Sequence, residues 1–185
     1  MLSPAAHDIL PPDDASRGGL QILPDGPSAP RKLWESLSSE ILRGGTTILV
    51  CADNRFQPDF LIIKARQAGR LPEEILSRLH IARAFTIYQL LSIVSERLEA
   101  EILRTRSTLV AVSGLLPLFS DAAVPSREAF GILEQLLVTM NRISRQGVRI
   151  LIPVEPTPSP SRRTRNILLR IRQMAVPADQ PPGGG

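Results

Sequence analysis

The chain of 185 residues lacks most features that mark secreted and membrane proteins. It contains one cysteine, Cys51, so no disulfide can form within the chain, and a reducing compartment fits best. Its longest apolar runs, 46–52 and 109–116, are far too short to span a bilayer. No charged segment followed by an apolar stretch opens the chain, which argues against a secretory signal. We therefore expect a cytoplasmic protein with no membrane partner.

Aromatic residues and lysines are also scarce. Only 4% of the residues are aromatic, so a core must be built from Leu, Ile, Val and Ala. Of the 22 basic residues, only Lys32 and Lys64 are lysine. Eight arginines but a single acid, Glu155, lie between residues 141 and 173. Arginine favours bidentate contacts with phosphate, although an arginine bias also follows from GC-rich coding, and both explanations remain open.

The usual catalytic and metal-binding motifs are missing. The sequence has no Gly-x-Ser-x-Gly, His-Glu-x-x-His or Cys-x-x-Cys pattern. His7 lies in the amino-terminal tail, and His80 begins a predicted strand without Cys, His or Asp at ligand spacing. Cys51, inside another predicted strand, is interpreted as a small apolar core residue. We expect no metal site and no cofactor.

Predicted strands and helices alternate along the chain. Residues 1–19 and 174–185 are expected to be disordered tails around one folded domain, 20–173, because they are rich in Pro, Gly, Ala and Asp. The predicted strands are 20–23, 46–52, 79–85, 108–112, 148–154 and 166–172. The predicted helices are 31–42, 58–69, a short one from 72, 86–104 and 126–145. This alternation predicts an α/β fold with a mostly parallel sheet flanked by helices.

Three segments resemble the ATPase core of the RecA/RadA recombinase family, especially its archaeal and eukaryotic branch. Residues 53–59, Asp-Asn-Arg-Phe-Gln-Pro-Asp, look like the family's Glu-Gly-x-Phe-Arg-Pro-Glu segment after the second core strand. Residues 81–85, Ile-Ala-Arg-Ala-Phe, match its Ala-Arg-Ala-Phe/Tyr strand. Residues 109–119 fit the strand that reads Leu-Ile-Val-Val-Asp-Ser-x-x-Ala-Leu-Phe. The resemblance, over roughly residues 20–154, implies a RecA-like core of the P-loop NTPase type.

The residues that would hold ATP in such a core are absent. A P-loop needs Gly-x-x-x-x-Gly-Lys-Ser/Thr, but residues 24–32 read Pro-Asp-Gly-Pro-Ser-Ala-Pro-Arg-Lys, with Pro30 at the lysine position. Ser113 replaces the aspartate that supports Mg²⁺, and Pro153 replaces the glutamine that senses the terminal phosphate. Only Asp53, at the catalytic glutamate position, keeps a carboxylate. Because phosphoryl transfer depends on positioning and charge neutralisation, we expect a pseudo-ATPase that is not an enzyme.

Two interpretations of the remaining polar residues stay open. Asp53 and Asn54 either cap or turn the chain before the helix that begins at Pro58, or they keep a polar contact at the carboxyl edge of the sheet. Arg31 or Lys32 would have to reach a phosphate if any nucleotide were bound.

Arginines are the candidate DNA-binding residues. Arg127 lies where the resemblance places the first DNA-binding loop, and it also fits a charged first helical turn. Arg162, Arg163 and Arg165 follow a proline-rich loop at the position of the second DNA-binding loop, or they form a solvated basic linker. A flexible cationic loop suits phosphate contacts. No aromatic residue lies among these arginines in the sequence, so base stacking is not supported.

Arg170 and Arg172 complete the candidates. They alternate with Leu169 and Ile171 and are expected to line an exposed face of the last predicted strand. RecA-type recombinases also assemble through a Phe-x-x-Ala motif that adds to a neighbour's sheet. The first 55 residues contain no phenylalanine, so assembly by that motif is not expected.

Two functions follow from these expectations. The first is an ATP-independent accessory protein of DNA recombination or repair that binds DNA, single-stranded DNA included, docks on a recombinase or DNA polymerase, or does both. Association with the nucleoid would accompany DNA binding. The second is a protein-interaction scaffold built on an inactive ATPase fold, without DNA binding. An enzyme with a non-standard nucleotide site ranks last.

Overall fold

Short apolar runs form the central strands, as parallel strands covered on both faces require. The computed structural model describes residues 18–23, 28–53, 55–154 and 159–177. The strands are β1 (Gly19–Leu23), β2 (Thr47–Cys51), β3 (Leu79–Arg83), β4 (Leu109–Ser113), β5 (Arg149–Pro153) and β6 (Val176–Pro177). They form one sheet in the order β3-β2-β4-β5-β1-β6, with parallel pairing throughout.

Helices connect the strands. They are α1 (Ala29–Leu42), α2 (Pro58–Gln67), α3 (Pro72–Leu76), α4 (Ile87–Ser92), α5 (Leu98–Thr105), α6 (Leu115–Ser120), α7 (Ser126–Ser144) and α8 (Arg162–Met174). A π-helical turn, Ile93–Arg97, joins α4 to α5, so the predicted helix 86–104 is continuous but locally widened. Proline stands in the first turn of α1, α2 and α3, where a missing N–H breaks no helical hydrogen bond. Across the described residues, no helix is long and apolar enough to cross a membrane.

Alternate side chains of the strands pack into two separate cores. Ile48 and Val50 of β2 face the helices from α4 to α8, whereas Leu49 and Cys51 face α1, α2 and α3. The same alternation continues in β4 and β5, so both faces of the sheet are covered by helices. The predicted α/β fold, a parallel sheet flanked by helices, is confirmed.

The carboxyl-terminal part of the chain differs from the prediction. Residues 166–172 belong to helix α8, so the predicted last strand is wrong. Thr164, Ile167 and Ile171 are buried at helical spacing, and the two-residue alternation of Arg170 and Arg172 coincides with that pattern only by chance. Helix α6 was also not predicted.

The ends of the described chain extend past the predicted domain limits. Gly19 opens β1, and β6 pairs with β1 through Val176 and Pro177. The amino-terminal segment 1–17, with His7, and the segment 178–185 lie outside the described residues.

Candidate functional site

The carboxyl ends of the strands bring together the positions that were compared with an ATP site. Parallel pairing places Cys51 beside Ser113, and Leu23 beside Pro153. Together with the amino end of α1, these ends enclose a cavity of about 570 Å³. Pro30, Asp53, Ser113 and Pro153 all line it. Residues 24–27 of the predicted phosphate loop and Asn54 lie outside the described residues.

One oxygen of the Asp53 carboxylate, Oδ1, accepts three hydrogen bonds from neighbouring groups. Its Oδ1 accepts from Ser113 Oγ at 3.1 Å and from Cys51 Sγ at 3.2 Å. It also accepts from the main-chain N–H of Arg55 at 3.2 Å, the two-residue spacing of an Asx turn. The bond from Arg55 is that of a turn before α2, and the bond from Ser113 is a polar contact at the carboxyl edge of the sheet, so both interpretations of Asp53 remain open.

Gly114 permits the close approach of the two strand ends. Its φ of +74° lies in the left-handed region, and a Cβ there would lie 2.4 Å from the main-chain nitrogen of Asp53. The chain after β4 therefore passes against the chain after β2 with no space for a side chain.

The rest of the cavity is largely apolar with arginine at its rim. Trp34 is 2% exposed, and its ring packs at 5.7 Å from that of Phe56. Arg31 lines the cavity but donates to Glu35 at 2.9 Å. The described lining residues include a second arginine, Arg55, and no lysine. Among the described residues, the lining thus combines two guanidinium groups with one carboxylate, that of Asp53.

Arg163 has a structural contact. Its Nε donates to the main-chain carbonyl of Phe119 at 2.9 Å, and its Nη1 donates to that of Val124 at 2.6 Å. Its Nη2 is buried and has no hydrogen-bond partner among the described residues. The side chain therefore ties the amino end of α8 to α6 and to the loop before α7, and it is not an outward-facing phosphate ligand.

The hydrogen bond between Arg163 and Val124 brings the amino ends of α7 and α8 together. Three exposed arginines lie at these ends, and we call them the arginine corner: Arg127, Arg162 and Arg165. Arg127 lies in the first turn of α7, three residues after Val124, whose carbonyl Arg163 binds. Arg162 opens α8, and Arg165 donates to the carbonyl of Pro160 at 2.7 Å. The two predicted DNA-binding segments are thus neighbours in space.

The sequence suggested that Arg170 is exposed and could bind DNA, but its guanidinium is bound by other side chains. Its Nε and Nη2 both donate to the carboxylate of Glu134 on α7, the second at 2.6 Å, and its Nη1 donates to Gln173 at 3.2 Å. The hydrogen bonds from Arg170 lower the pKa of Glu134 and raise that of the guanidinium. Arg170 therefore fixes α8 to α7. Arg172 is exposed on α8 and does not line a strand.

Two further features had no signal in the sequence. Tyr88 Oη donates to Glu128 at 2.7 Å, across 40 positions of the chain, and this hydrogen bond raises the pKa of Tyr88. A groove of about 580 Å³ runs between edge strand β3 and the helical segment that includes the π-helical turn. Its floor includes Val50 and Ile81, and Ile81 is 40% exposed. We call it the β3 groove.

No protein-family model matches the chain, and no curated protein matches it in sequence. Within the described parts of the chain, no three His, Cys, Asp or Glu side chains are grouped so as to hold a metal ion. The function is therefore proposed from the residues and their geometry.

Proposed function

We propose that this chain is an ATP-independent, RecA-like accessory protein of DNA recombination or repair, which binds DNA through the arginine corner. The observation that carries the proposal is the tie between Arg163 and Val124, because it joins cations from two distant segments into one surface. Arginines that displace counterions from phosphates bind nucleic acid without sequence selectivity. A cytoplasmic, nucleoid-associated location belongs to the same proposal.

In this proposal the cavity at the carboxyl edge does not hold a nucleotide. Asp53 is engaged by Ser113 and Arg55, and the lining residues include prolines at two positions where a RecA-type site needs polar side chains. Binding of DNA would then depend on charge alone and would need no nucleotide. The chain would support an active recombinase or a polymerase rather than replace it.

The test is a titration of fluorescent single-stranded DNA at several salt concentrations. The double variant Arg162→Glu and Arg165→Glu should bind far more weakly, and its salt slope should fall by about 1.4, or about 0.7 for each phosphate that is no longer neutralised. The matched control is Arg106→Glu with Arg145→Glu, two exposed residues that precede β4 and β5 at the opposite edge of the sheet. Unchanged affinity in the first variant, or equal weakening in both, would contradict the proposal.

The β3 groove favours a second candidate function, a scaffold that receives a partner strand. An edge strand with an unpaired side and an apolar groove beside it can accept an extended peptide. RecA-type recombinases carry the Phe-x-x-Ala motif that adds to a neighbour's sheet, so a recombinase would suit this groove as the donor. Replacing Ala82 or Ile81 with Asp should abolish binding of such a peptide. Leu169→Asp, at an exposed apolar residue of α8 outside the groove, should not.

A further inference from the structure

The fold places two exposed aromatic residues close to the turn of α7 that carries Arg127 of the arginine corner. Phe85 is 66% exposed and Tyr88 is 50% exposed, although the chain as a whole has few aromatic residues. Both follow the carboxyl end of β3, at the start of α4. The hydrogen bond between Tyr88 and Glu128 brings α4 against the first turn of α7, where Arg127 is the neighbouring residue. Tyr88 and Arg127, which are separate in the sequence, therefore lie close to each other in the fold.

Both residues are held in place. The main-chain N–H of Phe85 donates to the side chain of Gln89 at 2.8 Å, and Thr86 caps α4 by accepting from the N–H of Gln89 at 3.1 Å. These bonds fix the turn between β3 and α4. The hydroxyl of Tyr88 is anchored at Glu128, which leaves its ring accessible from solvent. The backbone under both rings and the ring of Tyr88 are therefore positioned before a ligand binds, which lowers the entropy that binding loses.

We propose that Phe85 and Tyr88 form a stacking platform for unpaired bases, while the arginine corner holds the phosphates of the same strand. The inference rests on the proposed function, and it specifies that the DNA is single-stranded. Exposed aromatic rings beside cations suit this ligand because every base has a face that stacks, whereas bases in a duplex are already stacked on each other. From the sequence, base stacking was not expected, because no aromatic residue lies among the arginines there; the proposed platform comes from another segment of the chain.

The experiment compares two fluorescent single strands of equal length, one of thymidines and one abasic. Both carry the same phosphates, so only the first offers bases to stack. The native chain should bind the thymidine strand about tenfold more tightly than the abasic one. The double variant Phe85→Ala and Tyr88→Ala should bind both strands with the affinity that the native chain has for the abasic strand. Phe85→Ala alone, at the more exposed ring, keeps the test valid if the double variant is unstable.

Two control variants separate stacking from general effects on structure. Val138→Ala removes an exposed apolar side chain, 57% accessible, from the middle of α7, so it should keep the preference for thymidine. Leu103→Ala removes another exposed apolar side chain, 74% accessible, at the opposite edge of the sheet, and should also keep it. Disappearance of the preference in either control would overturn the platform.

The outcomes distinguish this inference from the proposed function. Equal binding of both strands by the native chain overturns the platform and leaves phosphate binding by the arginine corner intact; the rings would then be free for a protein partner. Failure to bind either strand overturns both. Tighter binding of the thymidine strand that the Phe85 and Tyr88 variants do not change also overturns the platform.

Discussion

The hydroxyl of Ser113 donates a hydrogen bond of 3.1 Å to Oδ1 of Asp53. This contact joins the carboxyl ends of β4 and β2 at the two positions where the family resemblance expects a metal-supporting aspartate and a catalytic glutamate. In this chain the first position is Ser113, a neutral side chain that donates a hydrogen bond to Asp53 at the second position. The pair therefore links the ends of the two strands through a hydrogen bond to a charged acceptor.

An aspartate at position 113 should harm the fold rather than produce catalysis. Ser113→Asp would set two carboxylates about 3 Å apart, and their repulsion should lower the free energy of unfolding by about 2 kcal/mol at neutral pH. The destabilisation should shrink in acid, where the pair shares a proton. Denaturant unfolding of Ser113→Asp and of the neutral control Ser113→Asn measures this difference. Equal stability of the two at neutral pH, or ATP hydrolysis by Ser113→Asp, would argue against the account.

Alanine substitutions at two glycines should change the free energy of unfolding in opposite directions. Gly114→Ala combines a φ of +74° with a Cβ 2.4 Å from backbone, so we expect it to lower the free energy of unfolding by about 3 kcal/mol. Gly131 lies inside α7 with nothing within 4 Å of an added Cβ, so Gly131→Ala should raise it by about 0.5–1 kcal/mol. Urea unfolding of both variants checks the pair. A tolerated Gly114→Ala would mean that the two strand ends are not in close contact.

Arg163 should matter for stability while its neighbour does not. Arg163→Ala removes two hydrogen bonds from a charged donor to main-chain carbonyls, and we expect a destabilisation of about 2 kcal/mol. Arg162→Ala, at an exposed position, should change stability by less than about 0.5 kcal/mol. Thermal unfolding of both variants provides the measurement. If Arg163→Ala proved as stable as Arg162→Ala, the arginine corner would have no structural basis.

Acid should weaken the contact between α5 and α7. Hydrogen bonds from Arg142 and Gln146 lower the pKa of Glu99 from 4.5 to about 2. Because the pKa is lowered in the folded state, the stabilisation is complete above pH 4.5 and disappears as the pH falls towards 2. Melting temperatures over this range should fall less steeply in Arg142→Ala than in the native chain. Parallel curves would show that the ion pair has no effect.

The strands and most helices could be predicted because their signals are local. Continuous apolar runs and proline at the first helical turn identified β2, β4, α2 and α3 from the sequence. Helix α8 was missed because Leu169 to Arg172 alternate as in a strand. The signal that should have been used is Ser161, whose side chain accepts from the N–H of Thr164 and caps the helix.

The candidate site was predicted only in part. The convergence of Pro30, Asp53, Ser113 and Pro153 follows from parallel strand order, which the resemblance supplied. Interactions between residues far apart in the chain, such as the hydrogen bond from Arg163 to Val124 in the loop before α7, produce no recognisable pattern in the local sequence. A sequence shows that arginines are abundant. Only the packing of the folded chain shows which of them are hydrogen-bonded to carbonyls and carboxylates, as Arg163 and Arg170 are.

The most direct test of the account is the affinity for single-stranded DNA measured with and without ATP and Mg²⁺. We predict that the chain binds DNA in the absence of nucleotide and that adding ATP with Mg²⁺ leaves the affinity unchanged. Binding that requires ATP, or that becomes tighter when ATP and Mg²⁺ are added together, would show that the cavity beside Asp53 still holds a nucleotide and would contradict the account.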